Sequence, residues 1–410
     1  MVSTVSPLAP AGFPKLPPLA GVRLAAAACG VRYRERADVC LIELAPGTAV
    51  AGVLTRSLTA SAPVLWCRRA LKGGRGRAIL INSGNANAFT GAAGLASVER
   101  TVQATADLFE AKKNQVYVAS TGVIGEPLPD ARVTEALVGL KAALDPAAWP
   151  DAARAIMTTD TYPKGATRRV EIGGVPVTLN GIAKGSGMIA PDMATMLSFV
   201  FTDAKIPVKV LQSLLARGAD DSFNAITVDG DTSTSDTLLL CASGQAKHRR
   251  VSAPGDTLLK GFRAALNDLL RDLAQQVVRD GEGAQKFVTI AISGAASKRA
   301  ARRIGLAIGN SPLVKTAVAG EDPNWGRIVM AVGKAGEKAD RDRLAIRIGG
   351  IEVARAGLVV PGYDEAPVAR HMKGRDISFE VDVGVGNGRA TVWTCDLTHG
   401  YIDINADYRS

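Results

Sequence analysis

Apolar and polar residues alternate through most of the first sixty positions. Residues 21–29, 39–44 and 50–55 each show a period of two and are separated by glycine turns, which predicts the strands of a meander. The continuous apolar run Ala78-Ile79-Leu80-Ile81 predicts a short buried strand, followed by a polar loop of small residues over 82–88. From Ala93 the period lengthens, and Val98, Val102, Ala106 and Leu108 or Phe109 fall on one side of a helix. Val116-Tyr117-Val118-Ala119 predicts another strand that ends at the turn Ser120-Thr121-Gly122. Residues 131–157 read as helical and run into Thr158-Thr159-Asp160-Thr161. Residues 170–179 predict a hairpin turning at Gly173-Gly174.

The second half repeats the alternation. A strand over 196–201, a helix over 207–217 and a strand over 237–241 precede the clearest helix, 256–280. Asp256 or Thr257 caps that helix, and Leu258, Leu259, Phe262, Leu266, Leu269, Leu270, Leu273 and Val277 form its apolar stripe. It stops at Gly281, and Glu282 follows between two glycines, either as a solvated turn carboxylate or as a ligand for a cation. A strand over 287–292, a helix near 297–308 and strand pairs near 343–354 and 376–395 complete the chain. The glycine-rich segment 384–388 lies between two strand-like runs rather than before a helix, so it predicts a hairpin turn and not a dinucleotide loop. The mixture of strands and helices places the chain in the α/β (α+β) class.

Composition narrows the class. A chain of 410 residues is long for one core, so two or three closely packed lobes are expected. Hydrophobic residues make up 47% and charged residues 21%, as in a folded globular protein, and no stretch is apolar for long enough to span a membrane. The proline-rich start has neither signal-peptide nor transit-peptide character, and the five cysteines form no CxxC pair; a cytoplasmic, reducing location is expected. The net charge of +10 concentrates in 247–250 and 298–303, without interleaved aromatics or a nucleic-acid module. The second run reads as a solvated helix face, and no nucleic-acid or membrane partner is expected.

The common catalytic constellations are missing. The three histidines, His248, His371 and His399, have no partner at metal-ligand spacing, and neither a GxSxG elbow nor a GxxxxGK[ST] loop occurs. Asp229-Gly230-Asp231 resembles part of a calcium loop, but the downstream acidic ligand would fall near Leu240, so no metal site is expected. What remains is the glycine-rich run Ala183-Lys184-Gly185-Ser186-Gly187, which leads to Ala194-Thr195 and a strand. It reads either as an ordinary loop-to-strand turn or as a self-cleavage site that leaves Thr195 as a new chain start, with hydroxyl and amine on one residue. The amine of such a residue titrates near 7.7–8.0, so part of it is neutral at cellular pH. Ser120-Thr121-Gly122 likewise reads as a satisfied turn or as an oxyanion-binding edge, and residues 158–161 as a helix end or a pocket wall.

Seven further motifs, taken in order, settle on one family. GVRLAAAACGVRYRERADV from Gly21, NSGNANAFTG from Asn82, STGVIG from Ser120, MTTDT from Met157, DGEGAQK from Asp280, EDPNWGRI from Glu321 and NADYRS from Asn405 accompany AKGSGMIAPDMATMLSF from Ala183. Together they resemble the ornithine acetyltransferases (glutamate N-acetyltransferases of arginine biosynthesis) over essentially the whole chain. The resemblance implies a layered mixed-sheet sandwich with a smaller C-terminal lobe, roughly 290–410. It also implies cleavage between Ala194 and Thr195 into an α chain (1–194) and a β chain (195–410), paired as an α2β2 heterotetramer. Thr195 matches the nucleophile and acetyl carrier, and Thr121 and Gly122 match the oxyanion-hole pair. Thr158, Lys184, Thr195, Glu282, Asn405 and Ser410 match substrate-binding positions, with Lys184 facing a carboxylate and Glu282 the distal ammonium of ornithine. Gln285 departs from the threonine expected there. The implied activity is ping-pong transfer of acetyl from N2-acetylornithine to glutamate, without a cofactor. Whether acetyl-CoA also serves as donor is left open. A related self-processing amidase or aminopeptidase is the alternative.

Overall fold

Two runs that read as separate strands, 39–44 and 50–55, form one continuous strand, Val39–Leu54. The pairing register on its edge shifts between Glu43 and Thr48, where Pro46 has no N–H to give the ladder and Gly47 adopts a φ of +83°. The structure, a computed structural model, describes residues 4–190 and 196–406. Ala194, Thr195 and Ser410 therefore lie outside the described residues.

The larger sheet contains β1 (Val22–Ala27), β2 (Val39–Leu54), β3 (Arg75–Asn85), β4 (Val116–Val123), β5 (Lys164–Ile172), β6 (Val175–Lys184), β7 (Leu197–Thr202) and β8 (Thr237–Ala242). Their order is β4-β3-β2-β8-β7-β6-β5, with β1 on the first half of β2. The pairs β3/β4 and β7/β8 are parallel and the rest antiparallel. Continuous apolar runs such as Leu238-Leu239-Leu240-Cys241 arise because the sheet is buried on both faces. Leu238 and Leu240 join one core, and Leu239 and Cys241 the other.

One face is covered by the helices Ala62–Ala70, Gly91–Leu108, Asp130–Ala142 and Trp149–Ala155. The last two replace the single helix expected over 131–157; Pro146 interrupts the run, since it has no N–H for a helical bond. The opposite face is covered by Val208–Asp220 and Lys260–Arg279. The latter buries Phe262, Leu266, Leu269, Leu270, Leu273 and Val277, the expected stripe. A short 3-10 turn, Thr257–Leu259, precedes it and is capped by Asp256, which accepts from the Leu258 N–H at 3.1 Å. Gly181 on β6 permits close helix contact, because a Cβ there would be 2.7 Å from Leu273 Cδ1. Phe262 is fully enclosed, so Phe262→Ala is expected to lose about 3–5 kcal/mol, read as an earlier midpoint in urea unfolding.

The Lys260–Arg279 helix packs on β5 and β6 and also touches the second sheet. That sheet contains β9 (Phe287–Ala295), β10 (Ala345–Ile348), β11 (Ile351–Arg355), β12 (Leu358–Val359), β13 (Asp376–Asp382) and β14 (Gly388–Cys395), in the order β12-β11-β10-β13-β9-β14. Its own core is shared with the helices Lys298–Gly309, Pro312–Ala319, Trp325–Gly333 and Ala366–Met372. The layers thus alternate helices, sheet, a helix pair, sheet and helices.

The expected hairpin at 384–388 is corrected. β13 and β14 do not pair with each other, because β9 lies between them, parallel to one and antiparallel to the other. Residues 384–388 cross the end of β9, where the N–H groups of Val385 and Gly386 both donate to Gly294 O. The basic run 298–303 lies on the helix Lys298–Gly309 with Lys298, Arg299 and Arg303 exposed, as expected, and Lys298, Arg302 and Arg303 pair there with Asp221, Asp220 and Glu337. The cysteines are all free, and burial pushes Cys40 and Cys67 up to about 12, so these are inert thiols. No helix among the described residues is long and apolar enough to cross a membrane.

Candidate active site

The parallel pair β3/β4 continues through its polar ends, so the chain does not turn at Ser120 as its composition suggests. Asn82 registers with Ser120, Ser83 with Thr121 and Gly84 with Gly122. Extension past the apolar residues is held by side chains: Ser120 Oγ donates to Asn82 Oδ1 at 2.6 Å, and Asn82 Nδ2 donates to Asn85 O at 2.8 Å. Gly122 has a φ of +133°, and a Cβ there would lie 2.2 Å from the Gly84 carbonyl carbon and 2.5 Å from Asn85 N. Only glycine fits at this point of closest approach.

A cleft of about 240 Å³ opens at this strand end, lined by Thr121, Gly122, Thr158, Lys184, Glu282 and Asn405 together with Thr159, Gly187, Met188 and residues 233–235. Every described residue of the predicted site therefore lies on one cleft. A larger, more open cleft of about 720 Å³ on the second sheet is lined by Arg271, Lys298, Arg302 and Arg389 opposite Asp220, Asp221 and Glu380. Its hydroxyls are Ser293, which donates to Asp382, and Thr391, and two of its cations are already paired.

Lys184 closes β6 and is buried. Its Nζ donates to Thr121 Oγ1 at 3.3 Å and stands 4.0 Å from Asp160 Oδ2. Burial pulls its ammonium below the usual lysine range, Asp160 opposes this, and Lys164 adds to it. Because Thr121 Oγ1 accepts from Lys184, its own proton is left to donate elsewhere.

Of residues 158–161, Thr158 and Thr159 line the cleft and Asp160 lies buried behind them. The Thr158 N–H donates to Asp160 Oδ2 at 2.9 Å, the Gly185 N–H to Asp160 Oδ1 at 2.6 Å, and the Thr159 and Ser186 hydroxyls share a hydrogen bond of 2.7 Å. Thr158 and Thr159 both reach the cleft.

Glu282 is not a solvated turn residue: it is 8% exposed. Its N–H donates to Ser186 O at 2.9 Å and its carboxylate accepts from Asn405 Nδ2 at 2.7 Å. Burial raises its pKa, while the hydrogen bonds from Asn405 and Thr159 pull the other way. The flanking glycines are explained by contact. A Cβ on Gly281 would be 2.8 Å from Cys395 Sγ, and one on Gly283 would be 2.4 Å from Tyr401 N. The helix His399–Asn405 seals this side, with Thr398 accepting from the Gly400 N–H and donating to Gly283 O.

Two carboxylates escaped the sequence reading. Asp229, in the failed calcium-like loop, accepts from the N–H groups of Met188 and Ile189 at 2.6 and 2.9 Å and from the Tyr401 hydroxyl at 3.3 Å. Asp236 is wholly buried and accepts from the Met196 N–H at 2.9 Å, which fixes the residue after Thr195; burial holds its carboxyl well above the usual carboxylate range. The only signal for either was an aspartate among small polar residues just before a strand. Among the described residues no cluster of histidine, cysteine, aspartate or glutamate is suited to a metal. No histidine lines the cleft. His248 accepts from the Lys205 N–H, and His371 from the Ser378 N–H, as structural groups. The cleft thus offers a hydroxyl and an ammonium on one wall and a carboxylate on another, which suits a zwitterionic amino acid.

Comparison with known proteins bears on the whole chain. The model of the ArgJ family matches residues 23–410. A Gluconobacter oxydans protein named arginine biosynthesis bifunctional protein ArgJ is 59% identical over 99% of this chain and 96% of its own. The Ruegeria pomeroyi protein of the same name is 59% identical over 100% and 99%. Among solved structures, a chain of the Bacillus halodurans arginine biosynthesis bifunctional protein argJ is 39% identical, with a TM-score of 0.50, and covers 52% of this chain and 99% of that one.

Proposed function

This chain belongs to the ArgJ family, and from that premise we propose how its cleft performs acetyl transfer. The protein is an acetyltransferase of arginine biosynthesis. The observation that carries the mechanism is the meeting of Thr121-Gly122, Lys184 and Glu282 on one cleft at the ends of β4 and β6. In the first step the Thr195 hydroxyl attacks the Ala194 carbonyl. The C–N bond breaks, its nitrogen takes the hydroxyl proton, and water hydrolyses the resulting ester to leave two chains. A solved relative whose chain covers only about half of this one, 52%, supports this reading.

In turnover the freed Thr195 amine takes the proton of its own hydroxyl, and the oxygen attacks the acetyl carbonyl of N2-acetylornithine. Thr121 and Gly122 donate to the oxyanion. The leaving α-amine of ornithine receives the proton, and an acetyl ester remains on Thr195. Glutamate then enters and its amine attacks the ester; the acetyl C–O bond breaks, the Thr195 amine passes the proton of the attacking amine to the Thr195 oxygen, and N-acetylglutamate leaves. Lys184 holds a substrate carboxylate, Glu282 the distal ammonium of ornithine, and Thr158, Asn405 and Ser410 complete the binding set. No cofactor takes part, and acetyl-CoA serves as a second donor to the same ester. A cytoplasmic α2β2 assembly belongs to the same proposal.

Incubation with N2-acetylornithine tests the reading. Ornithine release is expected to stop near one equivalent per site without glutamate and to become catalytic with it. Steady acetate release without glutamate would instead identify an amidase.

A further inference from the structure

Beneath the cleft lies a buried chain of charges to which the acetyl-transfer mechanism gives no task. Lys164 Nζ donates to Asp160 Oδ1 at 2.7 Å and to Asp280 Oδ2 at 2.6 Å, and all three side chains are fully enclosed. Asp280 also accepts from the Thr161 N–H at 2.9 Å and from the Thr161 hydroxyl. Asp160 accepts from the N–H groups of Thr158 and Gly185. Each end of this chain meets a different wall of the cleft: Thr158 lines it, Gly185 follows Lys184, and Asp280 stands two residues before Glu282. Apolar residues of similar volume often stabilise such a core at least as well as buried ion pairs do. A triad of this kind therefore calls for a role beyond stability.

Lys184 is the group on which it acts. The charged groups around Lys184 are Asp160, Lys164, Glu282 and Asp236. Burial and Lys164 oppose its ammonium, whereas the three carboxylates favour it, and Asp160 stands at ion-pair distance, 4.0 Å. We propose that Asp160 is the positioning residue of the cleft, which through Thr158, Gly185 and its charge beside Lys184 aims and preserves the cation that receives a substrate carboxylate. Lys164 and Asp280 hold Asp160 in place. The inference rests on the acetyl-transfer reading, because only there does Lys184 meet such a carboxylate.

The test is the pH dependence of kcat/KM for N2-acetylornithine in Asp160→Asn and in the charge-neutral double variant Lys164→Met/Asp280→Asn. Lys184 binds a carboxylate only while protonated, so kcat/KM falls as pH rises through its pKa. The Thr195 amine must be neutral and sets the opposite, rising limb. Asp160→Asn removes a favourable charge and is expected to move the falling limb down by about one unit and to raise KM roughly tenfold, with kcat changed less. The double variant removes the opposing cation while the N–H groups of Thr158 and Gly185 still hold Asp160, and it is expected to move the same limb up. Asp160→Glu should restore the wild-type limb. Loss of packing alone does not produce shifts of opposite sign. An unmoved limb, or movement in one direction in both variants, overturns the proposal. If Asp160→Asn does not fold, the double variant decides alone, and an unmoved limb there is the negative result. A wild-type protein that transfers no acetyl at all would sink the acetyl-transfer reading instead, whatever the variants do.

Discussion

Thr195→Ala is expected to leave one chain of 42.6 kDa on a denaturing gel, where the proposed cleavage would give two in the wild type, and to abolish acetyl transfer. Both losses have one cause. Alanine supplies neither the oxygen that attacks the Ala194 carbonyl nor the oxygen that carries acetyl, and the α-amine is never released to act as base. Removal of a nucleophile that acts as a unit with its base costs about 10⁶ in kcat in a well-studied hydrolase. A loss of that order takes turnover below detection in an ordinary assay. Folding should not be the obstacle, because the Met196 N–H bond to Asp236 and the pairing of β7 with β6 and β8 do not use the Thr195 side chain. Circular dichroism should match the wild type. Thr195→Ser keeps the hydroxyl and should still cleave and turn over. Two chains in the alanine variant would show that the cut is made elsewhere or by another protein.

How much of this was legible in the sequence depends on range. Period and composition predict elements well where one face or both are buried, as in the stripe of the Lys260–Arg279 helix and the hairpin at Gly173-Gly174. They predict partners poorly. The apolar run of β9 says that it is buried, not that it separates β13 from β14. The ends of β3 and β4 read as turns because their residues are polar, yet mutual hydrogen bonds hold Asn82, Ser120 and Asn85 extended.

The site divides in the same way. Hydroxyls and glycines crowded before one strand and at the end of another drew attention to Thr195 and Thr121, and motif order assigned roles to Lys184 and Glu282. The carboxylates that hold these groups were silent, because an aspartate accepting backbone N–H groups looks in sequence like any turn aspartate. Residues 158–161 and Asp229 drew notice in the sequence, but the roles of Asp160, Asp229 and Asp236 as acceptors became visible only when distant segments met. Asp160 joins residues 158 and 185, and Asp229 joins residue 188 to the helix His399–Asn405. A candidate site can be read from the groups that do chemistry, but its rigidity comes from long-range partners.

That rigidity sets the second large effect, at Gly122. Gly122→Ala is expected to lower kcat by about 10²–10³, comparable to loss of an oxyanion donor, and to slow the cleavage that precedes turnover. A φ of +133° alone costs a non-glycine residue about 1–3 kcal/mol. The added Cβ also falls 2.2 Å from the Gly84 carbonyl carbon and 2.6 Å from its oxygen. These are backbone atoms in a registered strand pair, so no side chain can yield and β4 must move away from β3 at this point. The N–H proposed to donate to the developing oxyanion moves with it. Thr121→Val separates the two contributions, since it removes the hydroxyl without forcing the backbone. It should cost a similar factor in kcat with KM nearly unchanged and little loss of thermal stability, whereas Gly122→Ala should lose activity and melt earlier. A Gly122→Ala enzyme with wild-type kcat would mean that this strand end does not stabilise the oxyanion. A Thr121→Val enzyme with wild-type kcat would leave only the backbone donor in that role.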